Sequence, residues 1–131
     1  MVLRSFDRPA QRLVPSPLIG VDSRGTPTTF VFTQRTIVLA VKPDCDGCRE
    51  FLTDPPVEFE GLDVVLVSVT PFEDAVSSSR PFIVGPEWME QARIVTAPSY
   101  TVVDPSDGRV VSEGVAFSAS QVAAEIAPYL V

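Results

Sequence analysis

Ile37-Val-Leu-Ala-Val-Lys-Pro-Asp-Cys-Asp-Gly-Cys48 sets a continuous apolar run directly against a Cys-x-x-Cys pair. The run from Ile37 to Val41 has no polar alternation, which suits a central strand buried on both faces. Lys42-Pro43 ends it, because proline offers no amide hydrogen to a sheet ladder. Asp44 to Cys48 then opens a short helix that carries Arg49, Glu50, Phe51 and Leu52 and is stopped by Asp54-Pro55-Pro56. A second buried strand follows at Asp63-Val-Val-Leu-Val-Ser-Val69. Strand, helix and strand in this order predict a right-handed parallel unit, with the cysteines at the carboxyl end of its first strand, where open α/β sheets place their sites.

Residues 1 to 20 hold Pro9, Pro15 and Pro17 and show no sustained period, so residues 1–15 read as an extended arm over a domain spanning 16–131. Asp22-Ser23-Arg24-Gly25 is a turn signal, and Thr28 to Phe32 a short strand. Beyond the second buried strand, residues 70–85 read as Ser-rich and irregular. Pro86 to Gln91 is a helix with proline in its first turn. Thr101 to Asp104 and Arg109 to Ser112 flank Pro105-Ser-Asp107-Gly108, the pattern of an antiparallel hairpin. Ser118 with Gln121 forms a capping box, after which Val122, Ile126 and Leu130 make an apolar stripe. The fold class is α/β, a mixed central sheet with helices on both sides.

The chain has 131 residues, 45% of them hydrophobic, enough for one packed core and incompatible with general disorder. Its 17 acidic and 10 basic side chains give a formal charge of -7, and there is no basic run. Nucleic acid and anionic membranes are therefore not expected as partners, and no segment approaches membrane-spanning length. The first residues are charged where a secretory signal needs an apolar stretch, so a cytoplasmic address is expected. No histidine occurs, which removes imidazole bases, Ser-His and Cys-His pairs and His metal ligands.

Cys-x-x-Cys spacing lets a helix start hold its first sulfur exposed near the positive end of the helix dipole, with the second one turn inside. Thiol exchange needs this arrangement: the exposed thiolate attacks a disulfide and the inner thiol resolves the mixed disulfide. Cys45 is then the nucleophile and Cys48 the resolving thiol. Two buried free cysteines, half of a metal site completed by a partner, and an inert loop disulfide are the competing readings. With no histidine and no further cysteine, no metal is expected, and exchange calls for no cofactor beyond the thiols.

Three segments together are similar to the thioredoxin superfamily, in particular its TlpA-like and redoxin-like branch. Ile37 to Arg49 resembles the strand and active-site helix of that fold. Ala97-Pro98-Ser-Tyr-Thr-Val-Val-Asp104, with Asp107-Gly108-Arg109-Val-Val, resembles the segment that carries a cis-proline before a hairpin. Ser16-Pro17-Leu-Ile-Gly-Val-Asp-Ser-Arg-Gly25 is similar to the opening strand and turn. The resemblance implies a thioredoxin-like fold over residues 16–131 and a cis Ala97–Pro98 bond beside the cysteines. It further implies that Ala97 pairs main chain to main chain with an extended substrate while Pro98 shields the sulfurs.

Against the superfamily pattern, Asp44 stands where a tryptophan is usual, Asp46-Gly47 replaces Gly-Pro, and Leu39 falls near the usual buried acid. Asp44 and Asp46 disfavour a thiolate at Cys45 and offset the helix dipole, with Lys42 the close cation. These three residues are the expected modulators of the thiol pKa, giving a reductant or slow exchanger rather than a strong oxidant. The Thr-x-x-Cys pattern of a peroxidase is absent, since Lys42 stands three before Cys45. Glu58, Glu60, Asp104 and Asp107 read as solvated or capping groups, and Trp88 as a helix-to-core anchor. The expected function is thiol-disulfide oxidoreductase acting on a protein or small-molecule disulfide; the alternative is a redox-inactive binding module of the same fold.

Overall fold

The apolar run beside the cysteines forms β3 (Thr36–Ala40), buried along its whole length. Its side chains alternate between two cores, as a period of two requires. Ile37 and Leu39, with Val41, pack among Cys48, Phe51, Val122 and Ile126, while Val38 and Ala40 pack among Ile83, Trp88 and Met89. The computed structural model describes residues 12–52, 59, 61–72, 80–105 and 107–130. Within them, β1 (Leu18–Val21), β2 (Pro27–Phe30), β4 (Asp63–Ser68), β5 (Phe82–Val84), β6 (Ser99–Val103) and β7 (Val110–Val115) complete a sheet ordered β2-β1-β5-β4-β3-β6-β7. β3 runs parallel to β4, with Leu39 opposite Leu66, and antiparallel to β6, with Leu39 opposite Tyr100. The sheet is mixed, as its sequence pattern implies.

A 3-10 turn (Asp46–Cys48) leads into α1 (Arg49–Leu52), which shares one core with α3 (Ala119–Ile126), while α2 (Pro86–Gln91) belongs to the core on the other face. Ser118 and Gln121 form the capping box of α3. Trp88 is 3% exposed and its Nε1 donates to the Pro15 carbonyl at 2.8 Å, which makes it the anchor its position suggests. No helix among the described residues is long and apolar enough to cross a membrane.

Several expectations are corrected. The stretch 70–85 is not irregular throughout: Phe82–Val84 is a strand between β1 and β4. Three residues are too few to show a period. β1 begins at Leu18, where the resemblance of Ser16–Gly25 implies an opening strand although residues 1–20 show no period, and β2 runs from Pro27 to Phe30 rather than from Thr28 to Phe32. The helix after β3 starts at Asp46 rather than Asp44. Leu130 is exposed and off the α3 stripe, because the last turn, Ala127–Tyr129, tightens to 3-10 around Pro128. Asp54 to Pro56, Glu58, Glu60 and part of the Ser-rich stretch lie outside the described residues.

α2 ends in a Schellman arrangement: Arg93 N–H donates to Glu90 O at 3.1 Å and Ile94 N–H to Met89 O at 2.9 Å. Arg93 occupies the left-handed position with φ 59°, where a Cβ is unfavourable. Arg93→Gly is expected to stabilise the protein by about 0.5–1 kcal/mol, read by urea unfolding. An unchanged or lower midpoint contradicts this.

At the end of β3 away from the cysteines, Asp104 is not the solvated turn residue expected. It is 7% exposed and held by Arg35, whose Nε is 2.8 Å from Oδ1, and by Arg109 at Oδ2. Burial by itself raises the Asp104 pKa, but the hydrogen bonds from Arg109 and Arg35 outweigh it and hold the carboxyl below its ordinary 3.8. The stabilisation is therefore fully present above that ordinary value and is lost as pH falls through the lower folded value. Asp104→Asn is expected to cost about 1–3 kcal/mol at neutral pH, since both arginines keep access to water. Unfolding curves at pH 7 and pH 3 check it, with the difference between the two proteins shrinking at the lower pH.

Candidate active site at the carboxyl end of β3

The ladder passes Ala40 by one bond, Val41 N–H to Val67 O at 2.9 Å, and stops at exposed Lys42 and Pro43. Asp44 turns the chain with φ 55°, a left-handed conformation that aspartate tolerates better than most residues. Cys45 is then extended and serves as N-cap of the Asp46–Cys48 turn, with Cys48 N–H donating to Cys45 O at 3.1 Å. The two cysteines form a disulfide, their Cα atoms 5.3 Å apart. Cys45 is partly exposed, whereas Cys48 is fully buried among Leu39, Phe51 and Val122.

The Ala97–Pro98 peptide is cis, as is Ser16–Pro17. A Cβ placed on Gly47 would stand 3.4 Å from Pro98 Cγ, so the proline ring rests against the loop between the cysteines. The Pro98 carbonyl accepts from Ala116 N–H at 3.1 Å, which joins this segment to the end of β7. Glu50 Oε1 accepts from Ala119 N–H at 2.9 Å and ties α1 to the start of α3. Between Lys42 and Pro43, the end of β4, α2 and the segment before Pro98 lies an open cleft of about 560 Å³. No group of three or more potential metal ligands occurs among the described residues.

Lys42 lines that cleft, and Asp44 and Asp46 are exposed on the cysteine loop. Lys42 is not the sole cation nearby: Arg49 Nε lies 3.8 Å from Asp46 Oδ1, one helical turn on. Both side chains are largely exposed, so the pair is weak. The i, i+3 spacing of Asp46 and Arg49 was the available signal for it. The cleft had none, since its walls come from segments far apart in the chain.

No described protein family matches the sequence, and no curated protein matches it. Solved structures do. The thioredoxin domain of a thiol-disulfide oxidoreductase from Bacteroides vulgatus superposes over 95% of this chain and 100% of its own, with a TM-score of 0.64 at 16% identity. The chain has a thioredoxin fold. A thiol:disulfide interchange protein from a Bacteroides species aligns over 89% of this chain and 88% of its own, with a TM-score of 0.63 at 18% identity. A peroxiredoxin-like protein from Aquifex aeolicus aligns over 94% and 88%, with a TM-score of 0.63 at 14% identity. In this thioredoxin fold the cysteine pair stands at disulfide distance at the carboxyl edge of the sheet.

Removing the loop carboxylates tests their effect on the thiol. In reduced protein, Asp44→Asn with Asp46→Asn is expected to speed alkylation of Cys45 by neutral iodoacetamide about threefold at pH 7, since exposed charges act through high dielectric. Asn also tolerates the left-handed backbone at position 44. An unchanged rate in the double variant contradicts the assignment.

Proposed function

We propose that this protein is a thiol-disulfide oxidoreductase in which Cys45 attacks and Cys48 resolves. The observation that carries the reading is the unequal access of the two sulfurs, Cys45 partly open to solvent and Cys48 at 0% exposure. In the reduced protein, Cys45 thiolate attacks one sulfur of a substrate disulfide, forming a mixed disulfide and releasing the first substrate thiolate. Cys48 then gives up its proton and attacks the Cys45 sulfur, restoring the intramolecular disulfide and expelling the second thiolate. One disulfide is reduced, one is formed, and no cofactor enters. Ala97 and Pro98 supply the backbone against which an extended substrate lies.

Asp44 and Asp46 favour a slow exchanger poised as a reductant, and they also support the rival, a binding module without turnover. Turnover of hydroxyethyl disulfide and reduction of insulin by the dithiol-reduced protein separate the two. Stoichiometric loss of both protein thiols supports exchange. Persistence of both free thiols beside either substrate supports the rival.

A further inference from the structure

Residues 93–97 form a thin wall between two openings. In front is the cleft of about 560 Å³ that Lys42 lines, and behind is a hollow of about 180 Å³ against β6 and β7; Ile94, Val95 and Thr96 line both. Val95 is 87% exposed, so its side chain does not pack the wall in place. The ties within the segment are local: Ile94 N–H to Met89 O, and Ser99 Oγ donating to Thr96 O at 2.8 Å. Among the described residues, two hydrogen bonds join 92–98 to remote parts of the chain. One runs from Ala116 N–H to Pro98 O, and the other from Arg12 Nη2 to Ala92 O.

Arg12 stands on fixed backbone. Its carbonyl accepts from Val110 N–H at 2.8 Å, Val14 N–H donates to Gly108 O at 2.9 Å, and the Pro15 carbonyl is held by Trp88. From there the guanidinium holds two elements with different nitrogens: Nη2 takes Ala92 O, while Nε lies 2.9 and 2.7 Å from the two carboxylate oxygens of Glu113 in β7. Three residues beyond Glu113, Ala116 donates to Pro98. Arg12 therefore bridges the start of the wall to the strand against which its end is tied, a task for a rigid planar fork.

We propose that Arg12 is a positioning residue for the exchange reaction: by bridging Ala92 and Glu113 it fixes the wall and so sets where Ala97 and Pro98 stand beside the cysteine loop. The inference rests on the exchange reading and adds a residue that touches neither substrate nor sulfur. The Pro98 ring stands 3.4 Å from where a Gly47 Cβ would lie, so a displaced wall changes the backbone offered to an extended substrate. The hollow behind the wall gives it room to move once the bridge is cut. The ion pair, with side chains 25% and 42% exposed, adds little to global stability, so its loss acts on position rather than on folding.

The test uses dithiol-reduced protein, freed of reductant, with a quenched peptide closed by its own disulfide and with hydroxyethyl disulfide. Arg12→Ala is expected to raise the half-saturating peptide concentration about fivefold, with the maximal rate and the hydroxyethyl disulfide rate each within about twofold of the unaltered protein. Glu113→Ala should act in the same direction, and the double variant should be no worse than Arg12→Ala, since both cut one bridge. Arg12→Lys, which can hold Glu113 or Ala92 but not both, should give an intermediate loss of about twofold. Amide hydrogen exchange reads the wall apart from chemistry: in Arg12→Ala the Ala116 N–H should exchange about tenfold faster while that of Leu39 in β3 is unchanged. Equal losses on both substrates, an additive double variant, an unchanged Ala116 amide or an equal rise at Leu39 overturns the proposal. Turnover of neither substrate by the unaltered protein removes the exchange reading, while a faster Ala116 amide in Arg12→Ala would still uphold the bridge's hold on the wall.

Discussion

Cys48→Ser is expected to accumulate a stable mixed disulfide with its substrate, and Cys45→Ser to accumulate none. Both variants should lose turnover by more than about a hundredfold, because each removes one of two required sulfur attacks. The difference between them comes from position. Cys45 caps the Asp46–Cys48 turn and is partly open, so in Cys48→Ser it still attacks and then has no partner to release it. Cys48 is packed among Leu39, Phe51 and Val122 and is closed to an external disulfide, so in Cys45→Ser nothing starts. Intact mass after incubation with a substrate disulfide reads the adduct directly. Equal trapping by both variants contradicts the assignment of roles.

Gly20→Ala has the largest expected effect on stability. Gly20 lies in β1 opposite Thr28, and a Cβ there would stand 2.3 Å from the Val84 carbonyl oxygen and 2.5 Å from Ile83 Cγ2. Backbone is the nearest neighbour, so no side-chain rotation relieves the clash. β1 and β5 must separate, at the one registered pair, Val21 with Val84, that joins the outer hairpin to the rest of the sheet. The loss should reach at least about 3 kcal/mol, the upper part of the range for overpacking. Gly25→Ala is the control: its φ is 84° but nothing lies within 4 Å of the added carbon, so it should cost about 1 kcal/mol from backbone strain alone. Urea unfolding of both variants checks the contrast, and equal losses contradict it.

What could be read from the chain and what could not divide along a physical line. β3 and β4 were legible because burial on both faces writes an unbroken apolar run, and α3 because its capping box and apolar spacing are local. β5 was not: Phe82-Ile83-Val84 is a strand only because β1 and β4 stand on either side of it. Asp104 looked like a turn residue because its partner Arg35 is 69 positions away. Leu130 fitted the helical stripe until Pro128 tightened the last turn. The cysteine pair was legible through its spacing after a strand. The cleft next to it, assembled from the ends of β3 and β4, α2 and the segment before Pro98, was not.

Reversible chemistry at Cys45 and Cys48 is tested most directly by thiol counting through a redox cycle. Dithiol-reduced protein, freed of reductant, is mixed with hydroxyethyl disulfide, quenched with an alkylating agent at intervals and weighed intact. Two alkylatable thiols are expected to disappear together while one equivalent of disulfide is reduced, and dithiol reductant is expected to restore both. Two thiols that stay free while the disulfide persists, or that once lost do not return, would contradict it.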